Sequence, residues 1–117
     1  ARTGRCDAQG HDRLVALTSH VPHLVACAVA DLVADASVGT DITPFIGSGF
    51  RDLTRIAMGS PDMWTDIEAA NGENIVRRID ELIAKLEFVR RFISEERHEA
   101  EGRSFLERAG AFRRSIG

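Results

Sequence analysis

Hydrophobic residues recur every three or four positions along most of the chain, which is the spacing of one face of an α-helix. The pattern predicts a first helix from His11, since apolar residues keep this spacing at Leu14, Leu17, Val21, Leu24, Val25, Ala28 and Leu32. Pro22 lies inside this helix and removes one backbone donor. We therefore expect a kink near Thr18 and Ser19.

Turn residues divide the rest of the chain into further helices. Residues 35–45 contain glycine and proline and predict a loop. Short helices are predicted over residues 50–58 and, with Ser60 as N-cap, over residues 61–70, and a final one over residues 103–116. A longer helix is predicted between residues 70 and 103, where apolar residues recur at alternating steps of four and three and form a heptad seam. These residues are Ile75, Ile79, Leu82, Leu86, Val89 and Ile93. The predicted fold class is all-α, a bundle of about five helices.

The length and composition narrow the function classes. At 117 residues the chain makes one domain, too small for a two-domain oxidoreductase. The formal net charge is −3, whereas nucleic-acid-binding domains usually carry an excess of basic residues, so no nucleic-acid partner is expected. No uninterrupted apolar run reaches the ~18–20 residues of a membrane span, so no membrane partner is expected. Residues 1–10 are polar and predict a linker or truncated strand rather than a signal peptide, and residues 11–117 form the domain.

The two cysteines, Cys6 and Cys27, form neither a metal-binding spacing nor a disulfide framework. A reducing, cytoplasmic location is therefore expected.

A candidate anion site lies in the stretch GSGFRDLTRIAMGSPDMW, which begins at Gly47. Gly47 and Gly49 allow a sharp turn, and Ser48 is a candidate N-cap for a helix whose free N–H groups attract negative charge. Arg51 and Arg55 lie one helical turn apart, and guanidinium groups bind carboxylates with two parallel hydrogen bonds. Arginine–aspartate pairs are also common on surface helices, where they contribute little, so the spacing alone leaves both interpretations open.

Two histidines, His20 and His23, lie three residues apart on one helix face. Taken alone, this spacing is more typical of one packed core histidine and one surface histidine than of a binding site. A metal site needs a third ligand, and His11 is half a turn out of phase with His20. Because no His-Glu-x-x-His motif is present either, we predict no metal site.

Two motifs resemble the C-terminal domain of the prephenate and arogenate (cyclohexadienyl) dehydrogenases. That family carries Gly-Gly-Phe-Arg-Asp-x-Thr-Arg-Ile-Ala followed by Pro-x-Met-Trp, and also His-Asp followed by Ser-His-x-Pro-His. The first motif is matched here by Ser48, Gly49, Phe50, Arg51, Asp52, Thr54, Arg55, Ile56, Ala57, Pro61, Met63 and Trp64. The second is matched by His11, Asp12, Ser19, His20, Pro22 and His23. Ser48 replaces the family's first glycine, and the likeness extends over residues 11–116.

The resemblance implies a helical substrate-binding and dimerisation domain of a tyrosine-biosynthesis enzyme. The implied reaction is the NAD- or NADP-dependent oxidative decarboxylation of prephenate to 4-hydroxyphenylpyruvate, or of arogenate to tyrosine. It also implies a homodimer in which helices of two subunits share one core. No Gly-x-Gly-x-x-Gly motif follows a strand in this chain, so NAD or NADP would bind a separate N-terminal domain. We expect the chain alone to bind neither cofactor and to be inactive.

The resemblance also assigns roles to individual residues. His23 would lie at the side-chain carboxylate of the substrate, Arg55 would pair with a carboxylate, and Trp64 would form the pocket wall. The predicted substrate-binding set is completed by His20, Ser48 and Gly49. Asp12, Asp52 and Arg51 would support these residues, and no catalytic residue is predicted in this chain.

Two alternatives to an enzyme domain are a regulatory module that senses tyrosine or a related carboxylate and a purely structural helical dimerisation domain. A structural domain has no need of a cationic pocket, so the histidines, Arg55 and Trp64 argue against it. An upstream strand, glycine-rich turn and helix in the same reading frame would distinguish the enzyme from the regulatory module. We expect the chain to be one piece of a longer dehydrogenase that also contains this nucleotide-binding unit. Tyrosine would be a product or an inhibitor of that enzyme.

Overall fold

The computed structural model describes residues 7–95 and 99–117. Within these ranges the chain is helical and contains no strand. The elements are α1 (Ala8–Val15), a π-helical turn (Ala16–His20), α2 (Val21–Ala36), a 3₁₀ turn (Thr43–Phe45), α3 (Ser48–Thr54), a second 3₁₀ turn (Arg55–Met58), α4 (Pro61–Ala70), α5 (Gly72–Ser94) and α6 (Glu99–Ser115). Since α1, the π turn and α2 form one continuous stretch, the predicted all-α fold of about five helices is confirmed.

The first helix begins earlier than the hydrophobic pattern predicts. Asp7 is its N-cap, and the Asp7 carboxylate accepts a hydrogen bond from the Gly10 N–H at 2.7 Å. This cap satisfies one of the free donors of the first turn. Residues 8–10, predicted as part of a linker, are therefore helical, while residues 1–6 lie outside the described part of the chain.

The helical hydrogen-bond pattern changes just before Pro22, where the kink was predicted. Ala16–His20 forms a π-helical turn, and the Val21 N–H donates to the Ala16 carbonyl, five residues back. The Thr18 hydroxyl donates to the Leu14 carbonyl at 3.0 Å. A π turn adds one residue to the helical repeat, so the chain accommodates the missing proline donor without ending the helix.

The helix after Gly47 differs from its prediction at both ends. Gly47, not Ser48, occupies the N-cap position, and Ser48 is the first helical residue. The α-helix ends at Thr54, whose hydroxyl donates to the Phe50 carbonyl at 2.6 Å, and the chain continues as a 3₁₀ turn. Arg55 is the C-cap of α3, with right-handed helical dihedrals, and the first residue of this turn, so Arg51 and Arg55 lie four residues apart across the junction.

The boundaries of α4 agree with the sequence. The Ser60 hydroxyl caps the helix by accepting the Met63 N–H at 3.4 Å, and Pro61 is its first residue. Proline suits this position because its N–H would have no partner there. Asn71 alone separates α4 from α5, which begins at Gly72.

The described residues form two compact units that divide between Ile79 and Asp80. In the second unit, the rings of Phe88, Phe92 and Phe105 have centroids 5.5–5.9 Å apart. Gly102 is buried beneath this cluster.

α6 begins at Glu99, four residues before its predicted start, with acidic residues in the first turn, where the helix dipole favours them.

We expected no membrane-spanning segment, but the helical stretch Ala8–Ala36 is long and apolar enough to be a candidate. By length and composition it could cross a bilayer: its mean hydropathy reaches 1.4 over eighteen residues, of which 22% are buried. No uninterrupted apolar run here is long enough to span a membrane, but this helix is apolar on average although polar residues interrupt it. Central helices of helical domains share this composition, and α2 packs against α3 and the second 3₁₀ turn.

Candidate functional site

Three aromatic rings from the two sequence motifs meet in the first unit. The ring of His23 stacks on that of Trp64, with centroids 3.8 Å apart and an interplanar angle of 5°. The ring of His20 stands nearly perpendicular to Trp64, at 6.1 Å and 83°. The structure therefore brings together three of the six predicted substrate-binding residues.

Local structure explains why these rings meet. His20 ends the π turn and His23 lies in the first turn of α2, so the two side chains leave adjacent turns. Trp64 lies in the first turn of α4, whose start is fixed by the Ser60 cap. Gly59 gives the indole room, because a Cβ at that position would lie 2.8 Å from Trp64 Nε1.

His23 is almost completely enclosed, with only 5% of its surface exposed. Its Nε2 lies 3.6 Å from the Cys27 sulfur. Its Nδ1 is buried and has no hydrogen-bond partner among the described residues. Leaving a buried polar atom unpaired costs on the order of 1–3 kcal/mol, so this nitrogen is the strongest sign of a ligand contact in the cluster.

His20 is held by the side chain of Asn71, which lies between α4 and α5. The Nδ2 atom of Asn71 lies 3.2 Å from His20 Nδ1 and donates to the Asp12 carbonyl at 2.9 Å. Asn74 Nδ2 donates to Asn71 Oδ1 at 2.8 Å. Asn71 is itself buried, so α1, the π turn and the start of α5 share one polar network.

The remaining predicted residues lie on the surface of α3 and the following 3₁₀ turn. Ser48, Gly49, Arg51 and Arg55 are all exposed. This segment packs against α2, the helix of His23. Within the described ranges no ion pair joins Asp52 to either arginine, so both guanidinium groups face solvent.

Asp12 contacts the site through its backbone rather than its carboxylate. The Asp12 carbonyl accepts from Asn71, whereas the carboxylate lies 3.7 Å from His11 Nδ1 in an exposed pair. A cavity of about 390 Å³ lies beside Asp12, Asn71 and Asn74. Asp12 is therefore linked to His20 through its backbone carbonyl and Asn71, and its predicted support of the histidines stays a prediction.

A separate open groove of about 430 Å³ lies between the end of α2 and the Thr43–Phe45 turn. Asp41 lines it, and the Thr43 hydroxyl and N–H lower the pKa of the Asp41 carboxyl by donating hydrogen bonds to it. None of the predicted site residues lines this groove.

Asn71 and Cys27 are contacts that the sequence analysis missed. A buried asparagine at a helix junction looks like an ordinary stop signal in sequence, because its partners lie 51 and 59 residues away. Cys27 lies one turn after His23, and that spacing is a signal that could have been read.

The described residues contain neither a group of side chains suited to a metal ion nor a dinucleotide-binding strand–turn–helix unit. No three His, Cys, Asp or Glu side chains converge in that part of the chain. A dinucleotide site of the strand–turn–helix type needs a β-strand, and ranges 7–95 and 99–117 provide only helices. The cluster instead offers imidazole and indole nitrogens, and the segment that carries the exposed arginines Arg51 and Arg55 packs on the same helix as His23, a combination that suits a carboxylate-bearing organic ligand.

Comparison with known proteins identifies relatives of both the sequence and the fold. The chain is 39% identical over 90 residues to prephenate dehydrogenase of Bacillus subtilis (strain 168), which covers 74% of this chain and 24% of that protein. It is 34% identical over 95 residues to cyclohexadienyl dehydrogenase of Zymomonas mobilis, covering 80% of this chain and 32% of that one. The matched part of the chain therefore spans about a quarter to a third of the length of these relatives.

Solved structures show the same fold. Prephenate dehydrogenase from A. aeolicus, in complex with hydroxyphenyl propionate and NAD+, aligns with a TM-score of 0.87 and 33% identity over 96% of this chain and 39% of that one. Synechocystis arogenate dehydrogenase aligns with a TM-score of 0.86 over 100% of this chain and 43% of that one. At 23% identity, the second likeness supports the fold alone.

The family described as "Prephenate dehydrogenase, dimerization domain" matches residues 7–107. This range contains both sequence motifs and all three rings of the cluster. The relatives are dehydrogenases, so the alternative of a regulatory module gains no support from them. The chain belongs to the prephenate dehydrogenase dimerization-domain family.

Proposed function

We propose that this chain is the substrate-side and dimer-forming domain of an NAD- or NADP-dependent prephenate or arogenate dehydrogenase in cytoplasmic tyrosine biosynthesis. The observation that carries the proposal is the buried, unpaired Nδ1 of His23 beneath the Trp64 ring. A substrate carboxylate that reached this nitrogen would supply its missing partner. Family membership supports the same conclusion, since the named relatives are prephenate and cyclohexadienyl dehydrogenases.

The arginines give the proposed pocket its charge. Arg55 would pair with a substrate carboxylate, and Arg51 would add positive potential beside it. Ser48 and Gly49 would border the ligand at the start of α3, and Asp52 would orient the guanidinium groups. Stacking of Trp64 on the buried His23 would keep water away from the carboxylate, which strengthens its hydrogen bonds.

The nicotinamide cofactor, bound by another domain, would accept the hydride from the substrate. The residues of this chain would bind and orient the substrate and hold its carboxylate. We therefore expect the purified chain to show no dehydrogenase activity with prephenate or arogenate in the presence of NAD or NADP. Turnover above the buffer blank would overturn this division of roles.

We also propose that a second copy of the chain covers its exposed apolar surface. Among the described residues, the buried hydrophobic side chains are Ala16, Val21, Ala26 and Ile75. The heptad seam is open at its far end, where Leu86 is 56% and Ile93 is 73% exposed. Large exposed apolar surfaces mark interaction sites. Sedimentation equilibrium should give twice the 12.8 kDa chain mass at micromolar concentration, and a folded monomer would contradict the proposal.

Calorimetric titration with tyrosine and 4-hydroxyphenylpyruvate tests the pocket. Arg55→Ala should weaken binding by about 1.5–3 kcal/mol, the usual effect of losing a charged hydrogen-bond partner. Arg77→Ala is the matched control, because Arg77 is an exposed arginine on α5 with no proposed role. Equal binding by Arg55→Ala and Arg77→Ala would remove Arg55 from the pocket. No binding by the folded wild-type chain would show that the pocket is not built by this domain alone.

A further inference from the structure

We propose that Asn71 is a positioning residue that holds His20 as the neutral tautomer with its proton on Nε2. His20 would then present an N–H donor, rather than a positive charge, to an oxygen of the substrate. The first statement concerns only the chain itself, whereas the second rests on the function proposed above.

The orientation of the Asn71 amide is fixed by the Asp12 carbonyl oxygen, which can only accept a hydrogen bond. Its Nδ2 lies 2.9 Å from the backbone carbonyl oxygen of Asp12. If the amide were rotated by half a turn, two oxygens would face each other in a buried position. The Asn71 oxygen is in turn occupied by Asn74 Nδ2 at 2.8 Å. Both contacts require the same orientation of Asn71.

The two hydrogens of Asn71 Nδ2 then have one partner each. One points to the Asp12 carbonyl, and the other faces His20 Nδ1 at 3.2 Å. His20 Nδ1 must therefore accept, which is possible only when that nitrogen carries no proton. A doubly protonated imidazole would set an N–H against the amide hydrogens. The network thus favours an uncharged His20 with its proton on Nε2.

The Nε2 end of the His20 ring is the end that Asn71 leaves free. His20 is half-buried, and within the described part of the chain its Nε2 makes no hydrogen bond. The ring meets Trp64 edge to face at 6.1 Å. A neutral N–H donor has a defined direction and can serve a carboxylate, carbonyl or hydroxyl oxygen. In this arrangement the positive charge for a dianionic ligand comes from Arg55 and Arg51 rather than from His20.

The tautomer can be measured directly by long-range 1H–15N correlation on the uniformly labelled chain. The spectrum distinguishes Nε2–H, Nδ1–H and doubly protonated rings, and His20→Ala identifies the His20 signals. We expect the Nε2–H pattern at neutral pH. An Nδ1–H or doubly protonated pattern in the wild-type chain would overturn the inference, and this result needs no variant to fold.

Two variants test the role of Asn71. Asn71→Ala should give a mixture of tautomers, because only the modest intrinsic preference of imidazole for Nε2–H then remains. Asn74→Ala, which alters the same network without touching His20, should keep the Nε2–H pattern. An unchanged His20 pattern in a folded Asn71→Ala chain would show that Asn71 does not set the tautomer. Circular dichroism establishes that each variant is folded.

Titration with 4-hydroxyphenylpyruvate separates this inference from the proposed function. We expect the His20 Nε2–H signal to shift on binding, and Asn71→Ala to weaken binding roughly two- to tenfold, the effect of one neutral hydrogen bond. Unchanged affinity in Asn71→Ala would overturn the positioning role. If the wild-type chain shows the Nε2–H pattern but binds no ligand, the pocket proposal fails while the tautomer assignment stands.

Discussion

His23 and Trp64 stack face to face, with ring centroids 3.8 Å apart and planes that differ by 5°. This contact joins the two sequence motifs in space and encloses His23, leaving Nδ1 as the ring atom without a partner in the described chain. Trp64 therefore determines how far His23 is exposed to solvent.

The stack should contribute measurable coupling to stability. In a double-mutant cycle of His23→Leu and Trp64→Leu, we expect a coupling free energy of about 0.5–1.5 kcal/mol, as measured for aromatic pairs. Urea unfolding followed by circular dichroism provides the four stabilities. A matched cycle replaces Trp64→Leu with Met63→Leu, since Met63 is half-exposed and adjacent in sequence. Equal coupling in both cycles would mean that the stack adds nothing specific.

Gly59 should control the position of the indole. A Cβ at residue 59 would lie 2.8 Å from Trp64 Nε1 and 3.2 Å from Cδ1, so Gly59→Ala must displace the ring. We expect a changed tryptophan emission maximum and a loss of about 1–3 kcal/mol, the usual cost of overpacking. Gly72→Ala is the control, because a Cβ there has no neighbour within 4 Å. An unchanged spectrum and stability in Gly59→Ala would contradict the close packing.

Local signals predicted the helices well because their causes are local. Ser60 and Pro61 set the start of α4 through adjacent atoms, so the sequence places that boundary correctly. Ser48 shows the limit of the same rule. A serine next to glycine is a candidate N-cap, but the structure places Gly47 there, a difference of one residue that only backbone geometry decides.

Three residues of the candidate site could be named from the sequence, but the contacts that arrange them could not. The resemblance named His20, His23 and Trp64, and the structure brings them together. The partner of His20 could not be read from spacing, because Asn71 reaches it across 51 residues. Long-range polar contacts of this kind depend on how helices pack, which a single sequence pattern does not encode.

The open end of the heptad seam should be needed for dimerisation. Leu86→Lys and Ile93→Lys place charges on exposed apolar positions of α5, and burying an unpaired charge at an interface is costly. We expect either variant to raise the dimer dissociation constant at least about tenfold, since 1.4 kcal/mol corresponds to that factor. Glu87→Lys is the control, because it changes charge on the same helix off the seam. Sedimentation equilibrium measures all three, and unchanged association of both seam variants would place the interface elsewhere.

Two glycines on α6 should respond oppositely to alanine. A Cβ at Gly102 would lie 2.4–2.9 Å from three atoms of the Phe92 ring, which is itself held against Phe88 and Phe105. Because the ring cannot move without breaking this cluster, Gly102→Ala should destabilise the fold by about 1–3 kcal/mol. A Cβ at Gly110 would meet only the flexible end of Arg114, at 3.2 Å.

Gly110→Ala should therefore stabilise the helix by roughly 0.5–1 kcal/mol, because alanine loses less backbone entropy than glycine. Urea unfolding of both variants measures the difference under one set of conditions. Helix propensity alone would make both substitutions stabilising, so opposite signs isolate the contribution of the aromatic cluster. If Gly102→Ala were as stable as Gly110→Ala, the close approach of α6 to Phe92 would be wrong.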